Sequence, residues 1–302
     1  MFRNFRIILW MTIFFMASII AEEPSTGAKK TKKYNLSMCA FFKNEAKSLK
    51  EWLEYHLVVG VDHFYLYNNG SYDQFREILN PYIKRGVVTL IYWPDLIEAQ
   101  KKDKTWMWVL STLISAYENA IKIRTANETK WLVFADVNEF LVPIEAKKLS
   151  EVLEKYGQYP GIIIPMDFFD ASKDDTLPRR KLLIETAELV GAQLNPEWEV
   201  AKMIFKPDQC KGFTWPPYKC WFKNEQEAIK LDRKELRINR YLNRFKGCLD
   251  SGKLREKLQV DNRILSEEEL SGLLEEGYEI KDQDCAIHRF IPKLLKKLGY
   301  EK

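Results

Sequence analysis

Glycine and proline are scarce in this 302-residue sequence, at 13 and 12 residues, and its five cysteines contain no C-x-x-C spacing. The scarcity excludes a collagen-like chain and low-complexity disorder, and the missing spacing argues against a cysteine-based zinc site. A charge excess of one sign is also missing, because 47 Lys and Arg stand against 43 Asp and Glu, for a net charge of +4. This nearly equal number of positive and negative residues argues against nucleic acid as a partner.

Long apolar runs are limited to one N-terminal segment, so the sequence excludes a polytopic membrane protein. Residues 7–21 carry no charge, follow Arg3 and Arg6, and end at Ala21. This layout predicts a signal peptide or signal anchor over residues 1–21, with residues 7–21 as the part that would associate with a membrane. Fifteen residues are fewer than the roughly 20 that span a bilayer, so cleavage and anchoring both stay open. We expect an exported or membrane-anchored protein, with a basic linker over residues 22–34.

Short apolar segments alternate with segments of helical periodicity through the first half of the sequence. The pattern predicts strands at 36–42, 63–67, 87–92 and 131–135 and helices at 48–59 and 105–124. Ser71 and Gln74 form a capping-box pattern, which predicts a third helix that begins directly after Ser71 and is disrupted by Pro81. Alternation of strands and helices indicates an α/β fold.

Polar loops follow three of these predicted strands, at residues 43–45, 68–73 and 136–139. Because the carboxyl ends of strands carry the binding crevice in α/β sheets, we expect these loops to meet. A helix that begins after Ser71 would present free N–H groups and a positive dipole end to an anion such as a diphosphate. The alternative is that Asn-Gly-Ser forms only a turn.

Asp136 and Asn138 are two residues apart in an extended segment, so their side chains point the same way. Their oxygen atoms could address one hard cation, Mg²⁺ or Mn²⁺, whose other ligands would be phosphate oxygens and water. The alternative is that these polar residues only end a strand.

Four motifs decide between these alternatives by their order and spacing. They are Ala40-Phe-Phe-Lys-Asn-Glu45, Gly60-Val-Asp-His-Phe-Tyr-Leu-Tyr-Asn-Asn-Gly-Ser71, Trp131-Leu-Val-Phe-Ala-Asp-Val-Asn-Glu-Phe-Leu-Val-Pro143 and Leu236-Arg-Ile-Asn-Arg-Tyr241. The set resembles glycosyltransferase family 92 and its bacterial relatives in the family-2-like group. The resemblance implies a GT-A type nucleotide-diphospho-sugar transferase fold over residues 35–245, with a mixed, mainly parallel sheet flanked by helices. It also implies metal-dependent, inverting transfer of a sugar from a nucleotide-sugar donor to a hydroxyl acceptor.

By position, the resemblance implies that Asp136 and Asn138 hold a divalent cation, Mn²⁺ or Mg²⁺. It implies that the donor is bound by Asn44, Glu45, Asn69, Ser71 and Asp73. Two residues depart from the family pattern. Asn138 stands in place of an aspartate and is a neutral, weaker metal ligand. Arg240 stands where the family commonly has histidine, and it either pairs with the diphosphate or marks a lost function.

An inverting transfer needs a carboxylate that accepts the proton of the acceptor hydroxyl. A predicted strand at 161–165 is followed by what we interpret as a loop with two carboxylates, and Asp170 and Asp167 are the candidate bases. Glu185 and Glu188 are alternatives, and Lys202 and Lys206 are cations that could reach a phosphate. The acceptor, whether glycan, lipid or protein, is not specified by the sequence. Two other functions stay open: a catalytically degenerate member that binds sugar or nucleotide, and a nucleotidyltransferase.

Residues 246–302 predict a charged helical C-terminal extension packed on the same domain, with a helix between Ser266 and Gly277. Cys39 is predicted to be a buried apolar residue. Three disulfide pairings are open among Cys210, Cys220, Cys248 and Cys285. His56 and His63 are predicted to be structural.

Overall fold

The computed structural model describes residues 31–93, 106–170, 182–186, 188–189, 201–213, 220–242, 258–260, 263–265 and 286–300. The strands are β1 Tyr34–Phe42, β2 His63–Asn68, β3 Val88–Tyr92, β4 Thr129–Phe134, β5 Glu139–Pro143, β6 Gly161–Asp170, β7 Glu188–Leu189, β8 Ala201–Phe205, β9 Cys210–Phe213, β10 Cys220–Phe222, β11 Ile229–Lys230, β12 Leu236–Leu242, β13 Leu258–Val260 and β14 Arg263–Leu265. The α-helices are α1 Ala46–Val59, α2 Phe75–Lys84, α3 Trp106–Asn119, α4 Leu149–Lys155, α5 Leu183–Thr186 and α6 Ile291–Leu298. A π-helical segment, Ala120–Thr125, continues α3.

Ten strands form one mixed sheet with the path β3-β2-β1-β4-β8-β6-β12-β5, and β7 and β11 pair with β6. Strands β1, β2, β3 and β4 are mutually parallel, whereas β8 runs antiparallel to both β4 and β6. The chain therefore proceeds from β1 outward to β3 and returns to β4 on the other side of β1. This reversal is a topological switch point, and ligands bind outside the carboxyl ends of the strands at such points. The predicted α/β class with a mixed sheet is confirmed.

Helix α1 fixes one wall of the crevice at this switch point. Trp52, Leu53 and Val59 are fully buried on the helix, and they pack in the main core cluster with residues of β1 and β2. Gly60 ends the helix with φ of 104°, and its N–H donates to the His56 carbonyl at 3.0 Å. Glycine adopts this left-handed conformation without the strain that other residues would meet, which is why it suits the end of the helix.

The C-terminal segment 286–300 packs on α1 and β5. Phe290 meets the Tyr55 ring edge-to-face at 5.8 Å, and Leu294 and Leu298 join the main core cluster. Residues 266–277, where the sequence predicts a helix, lie outside the described residues, as do residues 1–30 with their predicted signal segment. None of the helices within the described part of the chain has the length and apolar character needed to cross a membrane.

Two sequence predictions about local structure are wrong. Helix α2 begins at Phe75 rather than directly after Ser71, and it continues through Pro81 to Lys84. Asp167 and Asp170 lie in β6 rather than in a loop, because β6 does not end at Pro165. Strand β5, which begins at Glu139, was not predicted.

Pairing explains why β6 continues past Pro165. Residues from Gly161 to Pro165 pair with β8, whereas residues from Met166 to Asp170 pair with β12. Pro165, which has no N–H to donate, therefore stands at the point where the strand changes its partner, and such a position tolerates proline.

The described cysteines are free thiols. Cys39 is fully buried in β1, as predicted, and burial raises the pKa of its thiol. The thiols of Cys210 and Cys220 are hydrogen-bonded to each other across the β9–β10 hairpin. Cys248 and Cys285 lie outside the described residues.

Candidate active-site crevice

The first two polar loops interlock at the carboxyl ends of β1 and β2. The Asn44 N–H donates to Ser71 Oγ at 2.9 Å, and the Tyr72 N–H donates to Asn44 Oδ1 at 2.9 Å. Ala46, the first residue of α1, donates its N–H to Asp73 Oδ2 at 2.7 Å. The Asn69 N–H donates to the Phe42 carbonyl at 2.8 Å. The loops predicted to meet therefore do meet, through reciprocal side-chain to backbone hydrogen bonds.

In the protein without a donor, three of the predicted donor-binding residues hold the two loops together. Asn44, Ser71 and Asp73 use polar side-chain atoms to join one loop to the other. Asn44 adopts φ of 57°, a left-handed conformation that asparagine tolerates better than most residues. Direct contact of these residues with a donor stays a prediction, whereas their support of the crevice wall is visible in the structure.

Glu45 lies beside these loops with a perturbed carboxyl group. Burial raises its pKa to about 7, and the charges of Asp136 and Asp73 act in the same direction against a hydrogen bond from Ser48. A carboxyl group with this pKa changes its charge near neutral pH. The predicted donor residue Glu45 is therefore also a neighbour of the predicted metal residue Asp136.

The third loop joins β4 to β5, and four charged side chains from this loop, β5, β8 and β12 meet beside it. We call Asp136, Glu139, Lys202 and Arg240 the charge cluster. Glu139 is fully buried, and its Oε2 atom contacts Lys202 Nζ while its Oε1 atom lies 3.2 Å from an Arg240 nitrogen. Asp136 Oδ2 lies 3.8 Å from Lys202 Nζ and 3.7 Å from the other terminal Arg240 nitrogen. The side chain of Asp136 is 41% exposed, so this carboxylate faces the crevice.

Strand register explains why these four residues meet. Arg240 on β12 is the direct cross-strand partner of Glu139 on β5. Lys202 lies near the start of β8, which runs antiparallel to β4 and so begins at the edge where β4 ends. The sequence indicated Arg240 as a departure from the family pattern that either pairs with the diphosphate or marks a lost function, and Lys202 as one of two lysines that could reach a phosphate. It did not indicate their contacts with Asp136 and Glu139. Lys206, the other lysine, instead donates to the Gly157 carbonyl at 2.7 Å.

Opposing effects set the protonation of the two carboxyl groups. Burial acts to raise the pKa of Asp136, but Lys202, Arg240 and a hydrogen bond with Glu139 hold it below its ordinary value. Burial raises the pKa of Glu139, and the two cations only partly oppose that effect. Asp136 is thus the carboxylate of the cluster that stays ionised most readily.

Two hydrogen bonds hold Asn138 against β12. Its Nδ2 atom donates to the Tyr241 carbonyl at 2.8 Å, and the Tyr241 N–H donates to the Asn138 carbonyl at 2.9 Å. The residue therefore ties the β4–β5 loop to β12.

The cluster does not fit a resident divalent cation. Asp136 is its one exposed carboxylate, and the part of the chain that the structure describes holds no group of three His, Cys, Asp or Glu side chains placed to bind a metal. Lys202 Nζ and an Arg240 nitrogen already lie within 4 Å of Asp136 Oδ2, so a divalent cation bound to that oxygen would meet two like charges at close range. The Mn²⁺ or Mg²⁺ site at Asp136 and Asn138 stays a prediction from the sequence.

An Asn138→Asp variant is expected to be less stable by about 1–3 kcal/mol, because a carboxylate cannot donate to the Tyr241 carbonyl and faces it instead. The midpoint of urea unfolding measures this loss. Asn138→Ala is the matched control, since it removes the hydrogen bond without adding a charge and should lose less. An Asn138→Asp variant as stable as the natural protein would contradict the assigned orientation of the amide.

Asp167 and Asp170, the candidate bases, both lie in β6. Asp167 is 2% exposed, its Oδ1 atom contacts Arg233, and its Oδ2 atom lies 3.4 Å from Nε of Arg237. Asp170 is the last residue of β6, paired along the backbone with Leu242 of β12. Because β6 runs parallel to β4, Asp170 is at the same edge of the sheet as the charge cluster. Of the alternatives, Glu185 accepts a hydrogen bond from the Leu182 N–H at 2.7 Å.

Comparison with known proteins identifies relatives of this chain. A family model for glycosyltransferase family 92 matches residues 32–270. A family 92 glycosyltransferase protein of rice, Oryza sativa subsp. japonica, is 30% identical over 151 residues, which are 49% of this chain and 23% of that protein. The galactan beta-1,4-galactosyltransferase GALS3 of Arabidopsis thaliana is 30% identical over 171 residues, 49% of this chain and 31% of the relative. The chain thus aligns with less than a third of the length of these two relatives.

Among solved structures, S. aureus TarS 1-349 is 12% identical, and the match covers 68% of this chain and 60% of that chain with a TM-score of 0.38. The family match, in contrast, takes in every strand of the ten-stranded sheet and all four residues of the charge cluster. By that match the chain belongs to glycosyltransferase family 92.

Proposed function

We propose that this protein transfers a sugar from a nucleotide-sugar donor to a hydroxyl group of an acceptor, with inversion at the anomeric carbon. The observation that carries the proposal is the crevice of a family 92 chain at the switch point of its sheet. There, three loops from β1, β2 and β4 converge on the ionised Asp136 carboxylate and two cationic side chains.

The chain's own residues supply two functions that such a transfer needs. The departing nucleoside diphosphate gains negative charge, and the cations of the charge cluster lie at the crevice edge where that charge would develop. The acceptor hydroxyl must lose a proton to a carboxylate, and Asp170 at the same edge is our choice of base. Asp167 suits this role less, because Arg233 and Arg237 each contact one of its two oxygens.

The relatives suggest which donor to test first. The names of the Arabidopsis proteins GALS3 and GALS2 describe galactan beta-1,4-galactosyltransferases. We therefore propose a galactosyl donor for the first assay and a carbohydrate hydroxyl as acceptor.

The test is product analysis of the full chain incubated with a panel of nucleotide sugars, UDP-galactose first, with Mn²⁺ or with EDTA. Free nucleoside diphosphate is the expected product, and Arg240→Gln should lower its rate of release about 10- to 100-fold because the departing diphosphate loses a cationic hydrogen-bond donor. Glu118→Gln is the matched control. Glu118 is an exposed carboxylate near the end of α3, where it pairs with Lys122.

The outcomes separate the functions that the sequence left open. Release of pyrophosphate from a sugar phosphate and a nucleoside triphosphate would show a nucleotidyltransferase and overturn the proposal. Binding of a nucleotide sugar without any released product would show a degenerate member of the family. Equal rates in EDTA and Mn²⁺ would contradict the predicted metal dependence while leaving sugar transfer intact.

A further inference from the structure

Two buried cations stand at the place where the sequence predicts a metal ion. The side chain of Lys202 is 8% exposed and that of Arg240 is 14% exposed, and each lies within 4 Å of both Asp136 and Glu139. Buried cationic side chains of this kind carry a large desolvation cost, so their position beside the crevice calls for a reason.

The two carboxylates hold the cations in unequal ways. Glu139 has no exposed surface and contacts both cations closely, which fixes them in place. Asp136 stands 3.7–3.8 Å from them, beyond the ordinary length of a charge-assisted hydrogen bond, and it is open to solvent. A ligand oxygen that enters beside Asp136 would thus approach two cations that a buried carboxylate has already positioned.

The charges match those of a metal-loaded site. A divalent cation bound by two carboxylates gives a local charge of zero, and the charge cluster reaches the same sum with an ammonium and a guanidinium group. The guanidinium also has five N–H donors in a planar fork suited to phosphate oxygens, and the ammonium has three donors.

From these contacts we propose that Lys202 and Arg240 take the place of a divalent cation in binding the diphosphate of the donor. The inference rests on the proposed function, since it assigns the diphosphate contact within the same crevice. It also gives Arg240, which replaces the family's usual histidine, a role in donor binding. The replacement then does not indicate a lost function.

Titration calorimetry of the full chain with UDP, GDP and CDP, each in EDTA and in Mn²⁺, tests the proposal. We expect at least one of these nucleotides to bind in EDTA, with Mn²⁺ changing its Kd by less than about threefold. Arg240→Gln should weaken that binding about 10- to 100-fold, because a charge-assisted hydrogen bond to phosphate is lost.

Lys202 needs a different design, because removing it alone would leave Glu139 buried without its closest cation. The double variant Lys202→Gln with Glu139→Gln removes one charge of each sign and keeps the residue volumes similar, and it should also weaken binding about tenfold or more. Circular dichroism checks that each variant is folded, and Glu118→Gln controls for the loss of a surface charge.

Three results would overturn the proposal and can be told apart. Binding in Mn²⁺ but not in EDTA would show that a metal is required and would leave the proposed function intact. Absence of binding by the folded protein in both conditions would overturn the diphosphate site and count against a nucleotide-sugar donor as well. Unchanged affinity in folded Arg240→Gln would assign the diphosphate contact elsewhere.

Discussion

Asp170→Asn is expected to lower the rate of sugar transfer by about 10²- to 10⁴-fold, the usual contribution of a general base, while the affinity for nucleoside diphosphate stays the same. The physical reason is that an amide cannot accept the proton of the acceptor hydroxyl. Asparagine is close to isosteric with aspartate, so β6 and its backbone pairing with β12 should be retained. Single-turnover transfer to a saturating acceptor, measured beside calorimetric binding, separates the two effects.

Asp167→Asn is the matched control on the same strand, and it should fail in another way. Its carboxylate contacts Arg233 and Arg237, and Arg237 is only 5% exposed. Removal of one partner from a buried ion pair costs about 3–5 kcal/mol, so this variant should lose stability rather than a catalytic step. The midpoint of urea unfolding, measured for both variants, reports this difference.

A folded Asp170→Asn variant that transfers sugar at the natural rate would exclude Asp170 as the base. Glu185 and Glu188, the other carboxylates considered from the sequence, would then be the next to replace. A large loss of stability in Asp170→Asn would also contradict the assignment, because Asp170 would then be a structural residue like Asp167.

Strands β1 to β4 and the first half of β6 could be predicted because each is a short apolar run bounded by polar residues. The meeting of the three loops could be predicted too, since parallel strands bring their carboxyl ends to one edge. Ser71 shows where local pattern fails. Its position suggested a helix cap, but its hydroxyl instead accepts a hydrogen bond from Asn44, and α2 begins only at Phe75. A tertiary contact across 27 residues replaced the local one.

The charge cluster could be predicted only in part. Asp136 follows directly from the end of β4, whereas Lys202 reaches Glu139 from a strand 63 residues away. No periodicity within β8 or β12 indicates which carboxylate each cation will contact. Such pairings follow from sheet order and register, and these are properties of the assembled sheet. The sequence indicated Arg240 as a candidate only through its departure from the family pattern.

Acid is expected to destabilise the protein through His56, by about 2 kcal/mol between pH 6.5 and pH 4.5. The ring is fully buried, its Nδ1 atom lies 2.8 Å from the Trp52 carbonyl, and its Nε2 atom accepts from the Leu141 N–H at 3.2 Å. Nε2 can accept only when the ring is neutral, and Nδ1 must then carry the proton. His56 therefore joins α1 to β5 as a neutral side chain, in agreement with its predicted structural role.

The sign of the pH effect follows from where protons bind. Burial lowers the pKa of His56 from 6.5 to about 3 in the folded protein, against a smaller opposing effect of its hydrogen bond to Trp52. Below pH 6.5 the unfolded chain takes up a proton that the folded protein excludes, so protons favour unfolding. The stabilisation is complete above pH 6.5 and is lost as the pH falls towards 3.

Urea unfolding at several pH values tests this prediction in the natural protein and in His56→Gln. The variant loses a ring from the core and should be less stable at pH 7.5, but its stability should fall less between pH 6.5 and 4.5. Val58→Ala is the control, because Val58 is buried on the same helix and has no titratable group, so its replacement should leave the pH dependence unchanged. Parallel pH profiles for the natural protein and His56→Gln would mean that other groups cause the acid effect. Convergence of the two profiles as the pH falls would identify the neutral His56 ring as the group that links α1 to β5 and keeps the crevice wall in place.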